Sequence, residues 1–328
     1  MKADEFTKRL RDFLKREGRL RERAVLKLRF KTKMLRIGAA FAATLGPSMP
    51  VLRLNAHYGE AIIIPESSWR GSLRRISEWV ARASANAVKD ALERAILKAH
   101  YEPERGPLTH LRGADLPIEV EELIMAAEEL ARDGTLRRFL APDEVDEVVA
   151  KARELSRGRQ LTRDQEERFR RILEPLVTPL CPICRLWGGP SLRGKVILEN
   201  TLLKPTTDIR THVALNRAGG VREEARLYSA EVTLADVIEL KAVVENVLPG
   251  STEALILAGT LEWLEEFGLG LGGFKSRGLG HLELEDCEVF LTELDNLRDL
   301  KLIRALIRPE EEGERMKLSD YLMHLRTS

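Results

Sequence analysis

The stretch GLGLGGFKSRGLG, residues 268–280, lies between a predicted helix and a predicted strand. Its six glycines expose backbone amides and allow conformations that other residues avoid, while Lys275 and Arg277 add positive charge. A backbone of this kind is suited to a close approach to phosphate. The alternative interpretation is a flexible connector in which the glycines only cap the preceding helix.

The order of elements around this stretch argues against a nucleoside triphosphate site. A P-loop needs a Gly-Lys-Ser or Gly-Lys-Thr sequence between a strand and the helix that follows it. Here Phe274 separates Gly273 from Lys275, and the loop follows a helix, so no helix N-terminus meets the phosphate. The loop is better suited to lie along a nucleic acid strand, with Gly272, Gly273, Lys275 and Arg277 as the contacts.

Further from the loop, periodicity predicts two β-α-β units. Alternating apolar and polar residues predict strands, and the apolar spacing of the longer segments predicts helices, the first of them capped by a serine. The predicted elements are a strand at 25–30, a helix at 67–100, a strand within 235–250, a helix at 253–270 and a strand at 281–291. This order predicts an α+β protein with a ferredoxin-like or RNA-recognition-like (RRM-like) core.

The rest of the chain decorates this core. Residues 1–24 predict an N-terminal helix, and the core itself is divided into residues 25–101 and 181–292. Between those parts, residues 102–180 predict a helical insertion, or lid, with mostly solvated faces. Two alternating arms around a Gly-Gly pair predict a projecting β-hairpin at about 209–231. Residues 293–328 predict a peripheral helical segment.

Composition limits the classes of protein that need to be considered. The 328 residues are 44% hydrophobic, and no apolar run approaches the roughly 20 residues that span a bilayer. The charged N-terminus lacks the apolar centre of a signal peptide, so we expect a cytoplasmic protein without membrane contact. Charged residues make up 32% of the chain, a bias typical of thermophiles. The net charge is only +1, so any nucleic acid must bind a local cationic patch.

Two of the three cysteines form the sequence Cys181-Pro-Ile-Cys184, whose spacing is typical of zinc knuckles. Because there is no second cysteine pair, a tetrahedral site must recruit histidines. His110 and His100 are the candidates, since they flank the start of the helical insertion and the cysteines end it. The sequence therefore predicts a structural zinc that fastens both ends of the insertion. The alternative is a proline turn with two buried thiols.

A second anion-binding candidate is the start of the first long helix, PESSWRGSLR at residues 65–74. A helix N-terminus presents free amides to an anion, and hydroxyl and guanidinium groups accompany them here. The candidate contacts are Ser67, Ser68, Arg70 and Arg74. An ordinary helix with a solvated basic face is the alternative.

Taken together, four segments resemble the RAMP superfamily, the RNA-binding backbone proteins of CRISPR effector complexes. They are IPESSWRGSLR, CPICRLWGG, THVALNRAGGVREEARLYSAE and LGGFKSRGLGHL, in family order over roughly residues 25–290. Within the superfamily the resemblance is to the repeated backbone subunit of type III-A complexes, with its type III-B equivalent next.

The resemblance implies a role in antiviral defence as a scaffold that binds single-stranded guide RNA. Copies of the chain would stack along that RNA and contact other effector subunits. The predicted hairpin corresponds to the family's thumb, where Arg210, His212 and Arg217 are candidate RNA contacts. Arg36 stands where the family usually has a histidine, and it is a further candidate.

The same resemblance bears on catalysis. Type III-A relatives cut target RNA with an aspartate in the first loop, but Ser48 or Pro47 occupies that position here. Acid-base or metal-assisted cleavage needs a carboxylate, which serine cannot replace. We therefore expect a non-catalytic RNA-binding subunit. Two alternatives remain open: an endoribonuclease of the same family that uses another acid, and a zinc-bearing interaction protein that does not bind RNA.

Overall fold

The computed structural model describes residues 1–38, 49–56, 59–101, 110–111, 118–215, 222–295 and 297–327, and at residues 56, 87, 101, 212–215 and 222–228 it describes only the backbone. The helices are α1 Ala3–Glu17, α2 Glu66–Ser84, α3 Ala91–Tyr101, α4 Val120–Arg132, α5 Pro142–Leu155, α6 Arg163–Val177, α7 Pro182–Trp187, α8 Thr252–Phe267, α9 Asp299–Ile307, α10 Pro309–Glu312 and α11 Leu318–Arg326. The strands are β1 Glu22–Lys31, β2 Met34–Leu35, β3 Arg53–Ala56, β4 Gly59–Ile64, β5 Val196–Leu198, β6 Thr201–Leu203, β7 Thr207–Leu215, β8 Arg222–Leu234, β9 Val237–Glu245, β10 Leu269–Gly270, β11 His281–Glu293 and β12 Glu314–Lys317.

The central sheet has the order β10-β11-β1-β9-β5, and β12 also pairs with β11. Its pairings are antiparallel throughout. Numbered as the four strands of the two β-α-β units, β1, β5, β9 and β11 give the order 4-1-3-2, with α2 and α8 as the connecting helices. This is the ferredoxin-like arrangement. The predicted α+β fold class is confirmed.

The two faces of the sheet are covered by different helices. Successive side chains of a strand point to opposite faces. On β1, Phe30 packs against Trp69 of α2, with 5.6 Å between ring centroids. From the other face, Arg23 Nη1 donates to Leu306 O of α9 at 2.8 Å, and Lys27 pairs with Glu310 of α10. Helices α2 and α8 therefore lie across the sheet from α9 and α10.

The projecting hairpin is formed by β7 and β8, which pair from Thr207↔Thr233 to Leu215↔Arg222. It belongs to a separate three-stranded sheet, because β2 pairs with β8 through Met34↔Leu234 and Leu35↔Thr233. The arms of the predicted hairpin are thus present. The predicted Gly-Gly turn falls outside the described residues.

The helical insertion is buried more deeply than its sequence suggests, so the expectation of mostly solvated faces is wrong. The fully buried side chains of α4 and α6 include Leu123, Ile124 and Leu173, which join the same apolar cluster as the sheet. Arg11 of α1 also donates to Glu129 and Asp133, at 2.7 Å from each, which ties α4 to the N-terminal helix. One apolar stripe on each charged helix is sufficient for this burial.

The predicted long helix is interrupted, and its serine cap is wrong. Helix α2 ends at Ser84 and α3 begins at Ala91, where Asp90 Oδ1 accepts from the Leu92 and Glu93 amides at 2.9 Å each. Asp90 therefore starts a new helix in the manner of an N-cap. The N-cap of α2 is Pro65, and the Glu66 amide is satisfied by Asn200 Oδ1 at 2.8 Å.

Candidate nucleic-acid interface and metal centre

The glycine loop, residues 268–280, is anchored to the chain segment that leaves β1. The Gly273 amide donates to Arg36 O and the Gly280 amide to Met34 O, each at 2.8 Å. Gly272 has a φ of +78°, and a Cβ added there would lie 2.3 Å from Arg36 O. A side chain would therefore clash with backbone and strain the loop. Glycine is required here by a close approach within the protein itself.

The Arg36 side chain lies against this loop. Its guanidinium carbon lies 5.2 Å from the centroid of the Phe274 ring. Its Nε is buried and has no hydrogen-bond partner in the described part of the chain, and no carboxylate there pairs with it. Burial lowers the pKa of Arg36, because it disfavours the charged guanidinium. An anion bound beside Arg36 would offset this cost. Within the described part of the chain, Arg36 is therefore a cation without a counter-charge.

Phe274 organises the cations of the loop. It has a φ of +59°, a conformation that costs a bulky residue about 1–3 kcal/mol. Its ring contacts a second guanidinium group besides that of Arg36, since the guanidinium carbon of Arg277 lies 4.7 Å from the same centroid. The sequence reasoning missed Phe274, although it is the loop's only aromatic residue.

The start of α2 meets the glycine loop at one carbonyl group. Gly270 O accepts from Ser72 Oγ at 3.0 Å and lies 3.4 Å from Lys275 Nζ. The two predicted anion-binding segments are therefore adjacent. Of the candidates on α2, Ser67 is exposed and Ser68 is half-buried.

Arg70 and Arg74 already have partners within the protein. Arg70 pairs with Glu66 at 2.7 Å and donates to Trp187 O at 2.9 Å. Arg74 donates to Gly188 O at 3.0 Å. Both side chains thus fasten α2 to the turn after α7.

The base of the hairpin lies beside the same surface. Arg210 of β7 pairs with Asp208 at 3.0 Å, and its Nη2 lies 3.6 Å from Met34 Sδ. Since Met34 O also binds the glycine loop, Arg210 lies near that loop. The side chain of His212 and the whole of Arg217 fall outside the described residues.

The family's catalytic position also falls outside them, because the described chain stops at Gly38 and resumes at Met49. The far end of that loop is fixed to the hairpin, since Met49 N donates to Ser229 O at 3.1 Å. Glu231 of β8 contacts this end of the loop, because its amide donates to Met49 O at 3.0 Å. It is 5% exposed, and its carboxylate accepts from the Val51 amide at 3.0 Å and pairs with Arg53. Burial opposes the ionisation of Glu231, but hydrogen bonds from Arg53, the Val51 amide and Thr207, together with the charge of Arg53, lower its pKa.

The four predicted metal ligands converge. His100, His110, Cys181 and Cys184 are all buried, and their ligand atoms lie within 4.8 Å of one another. His100 lies in the last turn of α3, His110 lies between α3 and α4, Cys181 is the N-cap of α7 and Cys184 lies in its first turn. The cluster therefore joins both ends of the helical insertion.

The spacing of the ligand atoms fits a tetrahedral metal. Zinc bound by nitrogen at about 2.0–2.1 Å and by sulfur at about 2.3 Å separates two nitrogens by about 3.3 Å and a nitrogen from a sulfur by about 3.6 Å. His100 Nδ1 and His110 Nε2 are 3.1 Å apart. Cys181 Sγ lies 3.5 Å from His100 Nδ1, and Cys184 Sγ lies 3.6 Å from it and 3.5 Å from His110 Nε2.

The outer nitrogen of each histidine faces a carboxylate. His110 Nδ1 lies 2.5 Å from Glu174 Oε1, and Glu174 also accepts from the His110 and Leu111 amides at 3.1 Å each. His100 Nε2 lies 3.3 Å from Glu78 Oε1. Such carboxylates orient metal-binding imidazoles. Residue type and spacing did not indicate Glu174 or Glu78, because each is distant in the chain from the histidine it contacts.

The protonation states in the cluster favour a thiolate. Burial alone would raise the pKa of Cys181, but its hydrogen bond with Cys184 and the charges of His100 and His110 hold that pKa well below its usual range. The hydrogen bond with Cys181, and then burial, raise the pKa of the Cys184 thiol. For His110, burial opposes protonation, but Cys181 and Glu174 raise its pKa to about 9. Metal binding would displace these protons.

The fold and this surface together define an α+β protein with a ferredoxin-like core, a cationic glycine loop and a hairpin at its side. The family model of the RAMP superfamily matches residues 27–283, which is most of the chain. The chain therefore belongs to the RAMP superfamily, and this membership indicates a CRISPR-associated RNA-binding subunit. No curated protein matches the sequence. Among the described residues, none of the helices has the length and apolarity needed to cross a bilayer.

Proposed function

We propose that this chain is the backbone subunit of a type III-A-like CRISPR effector complex and binds single-stranded guide RNA through the RNA backbone. The observation that carries the proposal is Arg36, which lies against the glycine loop and Phe274 and has no carboxylate partner among the described residues. Phosphate is the anion that a guide strand presents at regular intervals. Lys275 and Arg277 extend the charge along the loop, and both are exposed.

The test is a filter-binding titration with single-stranded RNA, duplex RNA and DNA at several salt concentrations. Each phosphate contact on a single strand contributes about 0.7 to the logarithmic salt slope. Replacing Lys275 and Arg277 by alanine should weaken single-stranded RNA binding and flatten the slope by about 1.4. Arg171→Ala is the matched control, because Arg171 is exposed on α6 and pairs with Glu167. Equal slopes for all these proteins would refute the proposal.

We further propose that the subunit does not cut target RNA. The proposal rests on Ser48 at the family's aspartate position. The rival function is cleavage by another acid, for which Glu231 is a candidate, because its amide donates to Met49 O at the described end of the first loop. Its carboxylate is occupied by Arg53 and the Val51 amide, which favours a structural role. Regularly spaced RNA fragments from the assembled complex would support the rival if they are lost on Glu231→Gln but retained on Glu60→Gln. Glu60 is the control because it is a second carboxylate that pairs with Arg53, at 3.4 Å.

We also propose that the His100, His110, Cys181 and Cys184 cluster holds a structural zinc ion. Two thiolates and two imidazoles are ligands that zinc prefers, and zinc bound there would cross-link α3, the start of the insertion and α7. Purified protein should contain one zinc per chain, and Cys184→Ser should lose most of it. Cys287→Ser is the matched control, since Cys287 is buried in β11 outside the cluster. Equal zinc contents in the two variants would contradict the proposal.

The same proteins distinguish the third candidate, a zinc-bearing interaction protein that does not bind RNA. That function predicts zinc in the wild type without measurable retention of single-stranded RNA. The proposed function predicts both zinc and RNA retention, without fragments. Cleavage products are resolved from the same tubes, so each function has its own outcome.

A further inference from the structure

A cavity lies between α1, the segment before α3, α7 and the N-terminus of α8. Its volume is about 440 Å³, within the range of about 300–1,000 Å³ that is typical of small-molecule pockets. Phe13 and Val88 are buried in its wall, and Leu248 and Leu255 add further apolar surface. The cavity is therefore large enough for a small molecule and offers it apolar contacts.

The buried wall of this cavity also carries a network of charges. Arg185 Nη2 pairs with Glu93 and Glu253, at 2.7 Å from each. Lys195 Nζ pairs with Glu253 at 2.9 Å and with Glu17 at 2.8 Å. The three carboxylates are thus occupied by cations of the protein itself, which disfavours a cationic ligand.

Arg185 keeps donors that the described chain does not use. A guanidinium has five N–H groups, and Arg185 forms its hydrogen bonds to Glu93 and Glu253 through Nη2 alone. Its Nε is buried without a partner among the described residues, and none of those residues accepts from its Nη1. Arg185 is only 5% exposed, and it lines the cavity. An acceptor bound in the cavity would therefore offset the cost of leaving a buried cation partly unsatisfied.

Three cations at the mouth of the cavity have no carboxylate partner in the parts of the chain that the structure describes. They are Arg16 near the end of α1, Arg21 just before β1 and Lys89 just before α3. Arg16 and Lys89 are exposed, and Arg21 is half-buried. The neighbouring acid, Asp90, pairs with Arg9 at 2.6 Å. The mouth therefore presents positive charge that an anionic ligand can neutralise.

The N-terminus of α8 opens into the same cavity. Ser251, its N-cap, and Thr252 both line the cavity. The first amides of a helix and its dipole favour a bound anion such as phosphate. Helix α8 has 16 residues and is therefore about 24 Å long, and the glycine loop begins at its other end. The cavity is thus a separate site from the surface proposed for the guide strand.

We propose that this cavity binds a small molecule that carries several phosphate charges next to an apolar part, as a nucleoside triphosphate does. Three cations without a counter-charge and a helix N-terminus favour several negative charges over a single carboxylate. The apolar part would contact Phe13 and Val88. The alternative is a water-filled cavity whose charges serve the fold alone. The inference does not depend on RNA binding.

The experiment is isothermal titration calorimetry on the full chain, freed of nucleic acid, with ATP, inorganic tripolyphosphate and adenosine as probes. ATP should bind once per chain, tripolyphosphate more weakly, and adenosine without measurable affinity. Arg16→Ala combined with Lys89→Ala should weaken ATP binding at least about tenfold, because two charged contacts are removed. The matched control is Lys15→Ala combined with Lys98→Ala, which removes the same charge from exposed positions of α1 and α3 outside the cavity.

The protein with Lys275→Ala and Arg277→Ala separates the two sites. It should bind ATP as the wild type does while it loses affinity for single-stranded RNA, and the Arg16, Lys89 variant should show the reverse. Thermal unfolding of each variant verifies that the fold is retained. No measurable ATP binding by the wild type, equal losses in the cavity variant and its control, or a loss confined to the Lys275, Arg277 variant would overturn the proposal. Tripolyphosphate that binds as tightly as ATP would contradict the apolar contact.

Discussion

Glu174→Gln is the most informative change at the metal centre, because it keeps the size of the side chain and removes its charge. Glu174 is 2% exposed, and its carboxylate contacts the His110 imidazole and accepts hydrogen bonds from two backbone amides. A glutamine offers one oxygen to these donors and turns its amide group toward the other. Loss of a carboxylate behind a ligating histidine typically costs about 10- to 100-fold in metal affinity, or about 1.4–2.8 kcal/mol.

The assay is competition for zinc between the protein and a chelator of known affinity. Glu167→Gln is the control, since Glu167 lies on the same helix and is exposed. Thermal unfolding of the metal-free proteins separates a loss of fold from a loss of affinity. If the zinc affinity of Glu174→Gln is within a factor of about two of the wild-type affinity, Glu174 does not orient His110 for metal binding.

Two further predictions concern the loop and the core. Gly272→Ala should displace Arg36, because the carbonyl oxygen of Arg36 lies 2.3 Å from the added Cβ, so RNA affinity should fall while zinc content is unchanged. Gly71→Ala is the control: its added Cβ meets nothing within 4 Å and should not destabilise the fold, and equal RNA affinity in the two variants would contradict the assigned geometry. Glu253 is buried, and although burial opposes ionisation, the positive charges of Arg185 and then Lys195 lower its pKa to about 2. The ionised Glu253 therefore stabilises the fold fully above the pKa it has in the unfolded chain, and this stabilisation is lost as the pH falls toward 2. The difference in unfolding free energy between wild type and Glu253→Gln should accordingly shrink from roughly 3 kcal/mol at pH 7 to less than half of that at pH 3. Chemical denaturation at both pH values measures this gap, and a gap independent of pH would show that folding does not lower the pKa of Glu253.

Local patterns predicted the parts of the molecule that depend on nearby residues. The alternation at 25–30 and 281–291 found β1 and β11, and the order of strands and helices led to the ferredoxin-like sheet. The Cys-x-x-Cys spacing and the position of two histidines at the start of the insertion gave all four members of the buried cluster. These inferences needed only residue type, spacing and order.

Features that depend on packing between distant segments escaped the sequence. Glu174 contacts His110 across 64 residues, and a glutamate in a charged helix carries no sign of burial. The insertion read as solvated because charged residues surround the few apolar ones that reach the core. Strand β12 was missed because a four-residue edge strand, ERMK, has no apolar alternation. Phe274 is different, since only its φ of +59° shows why an aromatic stands among glycines.

Helix α2 connects the buried His-Cys cluster to the glycine loop. Glu78 of this helix contacts His100 in the cluster, and Ser72 of the same helix donates a hydrogen bond to the carbonyl of Gly270 in the loop. A helix moves as a stiff rod, so a shift of its axis at one contact is passed to the other. If the cluster holds zinc and the loop binds RNA as proposed, the two affinities would be thermodynamically linked, and the linkage would be reciprocal: zinc would change the affinity for RNA by the same factor as RNA changes the affinity for zinc.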